Sequence, residues 1–157
     1  VLEPKRDKER ILSAIGATDC IKLGKYLCSK GCNPDLIICS GARRTIESAE
    51  LVSSELEQPV SITISDGLYL STYQNLLLEI QAVSSSVGAL LIIGHNPAIH
   101  NLARFLLKSA VDTGANQIAR GFSPGSLAIL NCHVKNWQGL YSEAVILNEF
   151  LIPSDFQ

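Results

Sequence analysis

The sequence contains no methionine, one tryptophan and only 6% aromatic residues. Neither charge is in marked excess: thirteen basic side chains face fifteen acidic ones, for a net charge of −2. That balance argues against nucleic acid as a partner, because a broad phosphate-binding surface needs a basic face, but it leaves room for a local basic pocket. Long apolar runs are missing too. The longest, Val87 to Ile93, is strand-sized and far too short to cross a bilayer, so no membrane association is expected. The N-terminus is charged where a signal peptide would be apolar, so none is expected there. The five cysteines (Cys20, Cys28, Cys32, Cys39, Cys132) are odd in number and follow no framework spacing. They predict reduced thiols and a cytoplasmic setting. Cys28 and Cys32 have helix-face spacing instead of the spacing of a metal clip, so no metal site is expected. A chain that starts at Val1 and has no methionine is expected to be part of a longer translation product.

With 157 residues, 46% hydrophobic and 18% charged, the chain is expected to form a single globular domain over 1–157. Ser13 predicts the cap of a helix running to about Lys30, with Gly31 as its stop. A short buried strand is expected at Leu36–Cys39, a helix near Arg44–Glu57 and a half-exposed strand at Val60–Ile64. A helix over Thr72–Val83 leads to a strand at Ala89–Ile93, and a further helix should be capped by Asn96 with Pro97 at its first position. Asp112–Gly125 reads as loop, followed by strands near Ser126–Val134 and Ser142–Phe150. Strands alternating with helices predict a three-layer α/β/α sandwich with a mostly parallel mixed sheet. The charged segment Lys5–Arg10 reads as solvated.

Two polar turns stand out, Ser40-Gly-Ala-Arg-Arg44 and Gly94-His-Asn-Pro97. Each follows a buried strand and precedes a helix, so each aims free helix N–H groups beyond the carboxyl edge of the sheet, where ligands bind in open α/β folds. One turn carries arginines and the other a histidine, which suits an anion, most simply a phosphate. Arg43 and Arg44 project about 100° apart on a helix, so one faces the pocket while the other is solvated. His100 and His133 are expected to be structural or exposed. Gly121-Phe-Ser-Pro-Gly125 has the spacing of a nucleophile elbow, but Pro124 has no N–H to offer an oxyanion, so the segment is read as a turn.

These residues resemble the bacterial phosphohistidine phosphatases of the histidine-phosphatase (phosphoglycerate-mutase-like) superfamily. Ser40 to Ala49 looks like the family segment S-P-A-x-R-A-x-x-T-A, with Gly41 in place of the proline and Ser48 in place of the threonine. Gly94-His-Asn-Pro97 matches the motif G-H-N-P, and Arg10-Ile-Leu-Ser13 with Gly16 is similar to R-P-L-[ST]-x-x-G. Leu68-Tyr69, Phe122 to Leu130 and Phe150-x-x-Pro153 also fit. The resemblance implies His95 and Arg44 as catalytic residues, and phosphate binding by Arg44, His95, Ser40, Asn96 and Arg10. It implies no cofactor, and a phosphorylated protein or small phosphorylated compound as substrate. In the implied reaction a histidine attacks phosphorus and the resulting phosphohistidine is hydrolysed. The family's R-H-G or R-H-A motif, which supplies that nucleophile, is absent from this sequence. It is expected upstream of Val1, on a strand lying between those led by Leu36 and Ala89. The alternative is a catalytically inactive module that binds phosphate or a phosphoprotein. Asp66 and Glu79 are the nearest candidates for a general acid. The sequence specifies no oligomeric state.

Overall fold

The computed structural model describes residues 3–108, 113–119 and 121–156. They fall into two compact units, one built from the chain up to Leu70, Val87–His95 and Phe156, the other from Ser71–Ser86 and Asn96–Asp155.

The first unit holds a parallel sheet flanked by helices, as the alternation of elements predicts. Its strands are β1 (Leu36–Ser40), β2 (Ser61–Ser65) and β3 (Leu90–Ile93), in the order β2-β1-β3. β1 lies in the middle and is the most deeply buried: Ile37, Cys39 and Ser40 expose nothing. The register pairs Cys39 with Ile93 and with Ile64, so Ser40 and Gly94 follow neighbouring strand ends. Asp35 ties the opposite ends of β1 and β3 together. Its carboxylate accepts from the N–H groups of Gly88 and Ala89, both at 2.8 Å, and its own N–H donates to Ala89. In this chain β1 and β3 pair directly, where an upstream strand is expected between the strands led by Leu36 and Ala89. Two apolar strands with free inner edges satisfy those edges by pairing with one another.

Helix α1 (Pro4–Lys8) precedes α2 (Ala14–Ser29), and α3 (Arg43–Ser54) follows β1. Ser13 caps α2 by accepting from Gly16 N–H, and Gly31 follows the helix at φ +65°, the conformation that suits glycine as a stop. α2 and α3 pack with Gly24 against the backbone of α3. A Cβ at Gly24 would stand 2.7 Å from the Val52 carbonyl oxygen, which cannot swing away as a side chain could. Gly24→Ala should therefore lower stability by about 1–3 kcal/mol, measured by urea unfolding. An unchanged midpoint would contradict this contact.

The second unit contains α4 (Tyr73–Gln81), α5 (Ala98–Leu106), α6 (Thr113–Ala119), β4 (Leu127–Cys132) and β5 (Val145–Leu151). β4 and β5 pair antiparallel in a ladder of their own, with a register shift between Ile129 and Leu130. Among the described residues, the parallel and antiparallel strands thus form separate ladders. Two local expectations are corrected here. Within Asp112–Gly125, α6 replaces the expected loop and buries Ile118; one large apolar side chain in seven residues is too little for a readable period (Asp112 itself lies outside the described residues). Helix α5 begins at Ala98, so Pro97 takes the cap position and Asn96 stands one residue too early to cap. Gly121–Gly125 is a turn, closed by Ser126 N–H donating to the Ser123 carbonyl. All five cysteines are free thiols. Among the described residues no helix is long and apolar enough to cross a membrane.

Candidate functional site

The turn after β1 is built around Thr45. Its buried hydroxyl is shared between the carbonyls of Ser40, at 2.8 Å, and Ala42, at 2.7 Å, which holds the first turn of α3 against the strand end. A Cβ at Gly41 would overlap the Asp66 carboxylate, so the family's proline could not be accommodated here without moving Asp66. The two arginines that open α3 diverge as helix geometry requires. Arg43 pairs with Glu47 one turn later, at 2.9 Å, with 58% of its side chain exposed. Arg44 is 26% exposed and turns toward β3 and the N-terminal segment.

His95, directly beyond β3, meets both residues expected from the β1 turn. Its Nε2 lies 2.7 Å from Ser40 Oγ, and its Nδ1 lies 3.5 Å from Arg44 Nη2. A guanidinium only donates, so Nδ1 is the unprotonated nitrogen; the proton on Nε2 then goes to Ser40 Oγ. Burial first, and the Arg44 charge second, hold the His95 imidazole below its ordinary value, with Asp7 pulling the other way. His95 is therefore neutral at pH 7. The sign for stability follows. The unfolded chain binds this proton more readily, so the contribution is full above the unfolded value of about 6.5 and is lost as pH falls through the folded one. An NMR titration should place His95 below free imidazole, and Arg44→Ala should move it upward. A His95 that titrates at or above the free value would contradict the arrangement.

Ser40 offers no surface to a ligand, since it is fully buried and its Oγ also accepts from Ala42 N–H at 3.3 Å. What it can do is hold the imidazole. Arg10 is mostly exposed and reaches Asp7, at 3.3 Å, without a direct contact to His95 or Arg44. The Asn96 side-chain amide donates to the Phe122 carbonyl. His100 has a structural role, with Nε2 2.7 Å from the Ile118 carbonyl, and His133 is exposed. Asp66 is 79% exposed and pairs with Lys8, at 2.8 Å.

The carboxylate that meets Arg44 is Asp7, from the segment expected to be merely solvated. Arg44 Nη1 donates to the Asp7 carbonyl at 2.7 Å, and Nη2 to Asp7 Oδ2 at 3.1 Å. The Tyr69 hydroxyl donates to the same carboxylate oxygen at 2.8 Å, and its ring stands edge-on to His95 with centroids 5.7 Å apart. That hydroxyl, ahead of Arg44 and Arg10, holds Asp7 below the usual carboxylate range, so Asp7 is ionised at neutral pH. Glu47 is lowered in the same way, chiefly by Leu12 N–H at 2.7 Å and then by Arg43. Neither Asp7 nor Tyr69 carried a signal of chemistry in its own sequence neighbourhood, beyond the match of Leu68-Tyr69 to the family pattern.

Known proteins similar to this chain share its sequence or its fold. An uncharacterized protein of Mycobacterium leprae is 31% identical over 148 residues, spanning 94% of this chain and 89% of that protein. Among solved structures, SixA of Nakamurella multipartitia superposes with a TM-score of 0.82 at 23% identity, over 94% of this chain and 87% of that one. The chain belongs to one family with the mycobacterial protein, and its fold is that of the SixA structure. SixA of Agrobacterium tumefaciens gives a TM-score of 0.77 at 21% identity, covering 98% of this chain and 90% of that one. The protein histidine phosphatase SixA complexed with tungstate gives 0.77 at 18% identity, covering 100% and 93%. No family model matches the sequence.

Proposed function

We propose that this chain carries the phosphoryl-binding groups of a phosphatase acting on phosphohistidine or a small phosphorylated compound, by way of a phosphohistidine enzyme intermediate. The observation that carries the reading is the meeting of Arg44 and His95 at neighbouring strand ends, with Ser40 holding the imidazole through a part-buried hydrogen bond. Likeness to a histidine phosphatase that binds tungstate, a tetrahedral oxyanion, supports the same choice of ligand.

In this reading Arg44 offers its planar fork to the phosphoryl oxygens, whose charge grows in the transition state. The bound anion also changes what His95 experiences. Beside Arg44 alone the imidazole is neutral; beside a dianion its protonated form is favoured, and Nδ1 then becomes a second donor. Ser40 keeps Nε2 engaged throughout, which fixes the ring. The reading needs no metal, because arginine and imidazolium supply the positive charge. It assigns the nucleophile to a histidine N-terminal to Val1.

The second reading, a module that binds phosphate or a phosphoprotein without turnover, is favoured by one observation. The anion-binding pair, Arg44 and His95, is assembled by residues of this chain alone, without the nucleophilic histidine. The test is release of phosphate from a phosphohistidine protein and from a generic phosphomonoester, by the product of the full gene, with a metal chelator present. Hydrolysis supports the phosphatase. Oxyanion binding without hydrolysis supports the binding module.

A further inference from the structure

The guanidinium of Arg44 already holds an anion. It grips one residue twice, at the backbone carbonyl and at the carboxylate of Asp7, and Tyr69 and Arg10 donate to the two oxygens of that carboxylate. Lys8, the next residue, is tied to Asp66 and lies with its ammonium 5.8 Å from the centre of the Tyr69 ring. All of these contacts belong to α1 or the residues just after it, a five-residue helix too short to persist on its own propensity. Its position therefore depends on the contacts it makes, and the Arg44 pair is prominent among them.

We propose that Asp7 determines which anions reach Arg44, acting as an intramolecular carboxylate that an incoming phosphoryl group must displace. The inference rests on the reading of Arg44 as the phosphoryl-binding residue. A monoanion that replaces the Asp7 carboxylate exchanges one negative charge for another and gains little at Arg44. A dianionic tetrahedral group brings a second charge and a third oxygen, and it can outcompete the carboxylate. The exchange also frees Asp7, with Lys8 and Arg10 beside it, to swing out with α1. Asp7 is thus a specificity-determining residue that favours dianions over monoanions.

The test is calorimetric titration of the full chain with sulfate, a dianion, and nitrate, a monoanion, for wild type, Asp7→Asn and Arg44→Ala. Asp7→Asn keeps the shape and removes the charge. It should bind sulfate about tenfold more tightly than wild type, and nitrate binding should become measurable. A tighter site cannot result from structural damage, which separates this role from a merely structural one. Equal or weaker sulfate binding by Asp7→Asn, with Arg44→Ala still abolishing it, would overturn the proposal and leave the phosphoryl-site reading intact. Sulfate binding that survives Arg44→Ala would overturn the phosphoryl-site reading, and the proposal with it. If Asp7→Asn does not fold, Tyr69→Phe removes one of the donors to the carboxylate and should tighten sulfate binding by a smaller factor. No gain in that variant would equally overturn the proposal.

Discussion

Replacing His95 by alanine should slow phosphohistidine hydrolysis by the full gene product about two to three orders of magnitude, comparable to losing one oxyanion-stabilising donor. The size of the effect follows from where the imidazole sits. It is anchored at Nε2 by a buried serine, and its other nitrogen meets Arg44, the residue proposed to hold the phosphoryl group. Alanine removes the donor expected at Nδ1 when an anion binds, and it leaves Ser40 Oγ buried with one partner fewer. His95→Gln would retain a polar side chain without the titration and should recover only a small part of the rate. Steady-state kinetics on a phosphohistidine protein measure both variants. A rate within a factor of about three of wild type would remove His95 from the chemistry.

Arg44→Ala should weaken binding of tungstate or phosphate about a hundredfold, the loss of charge-assisted hydrogen bonds that no neighbouring side chain can replace. Arg43 is not a substitute: it faces away, committed to Glu47 within α3. Lys8 is committed to Asp66, and Arg10 is mostly exposed and paired with Asp7. The readout is the rise in melting temperature with added oxyanion, which should be large for wild type and nearly absent for the variant. Arg43→Ala should leave the shift almost unchanged. If Arg43→Ala abolished it and Arg44→Ala did not, the pocket arginine would be the other one.

The parallel part of the fold was legible because it is written in local signals. Ser13 and Gly31 bracket α2, and the apolar runs before Ser40 and Gly94 set the length of β1 and β3; β1 is buried as expected, whereas β3 is only half-buried throughout. The divergence of Arg43 outward and Arg44 inward was also legible, since adjacent helical residues must point apart. Asp7 was not. It sits in a short helix with no apolar period, among charges that read as a solvated face, and its partners Arg44 and Tyr69 lie 37 and 62 residues away. Nothing in Lys5–Arg10 announces those partners. The pairing of β1 with β3 was hidden for a similar reason. Both are continuous apolar runs, and such strands specify burial without specifying a neighbour. Ser40 shows the limit of reading a motif residue by type: a serine in a phosphate-binding turn suggests a ligand contact, and burial makes it a support for His95 instead.

The most direct test of the central claim, that Arg44 and His95 form one phosphoryl-binding site, is a crystal structure of the chain with tungstate, whose metal is located from its anomalous signal. A single strong peak is expected, with its oxygens within hydrogen-bond reach of both the Arg44 guanidinium and the His95 imidazole, and the Asp7 carboxylate turned away. Tungstate bound elsewhere, with Asp7 still seated on Arg44, would contradict it.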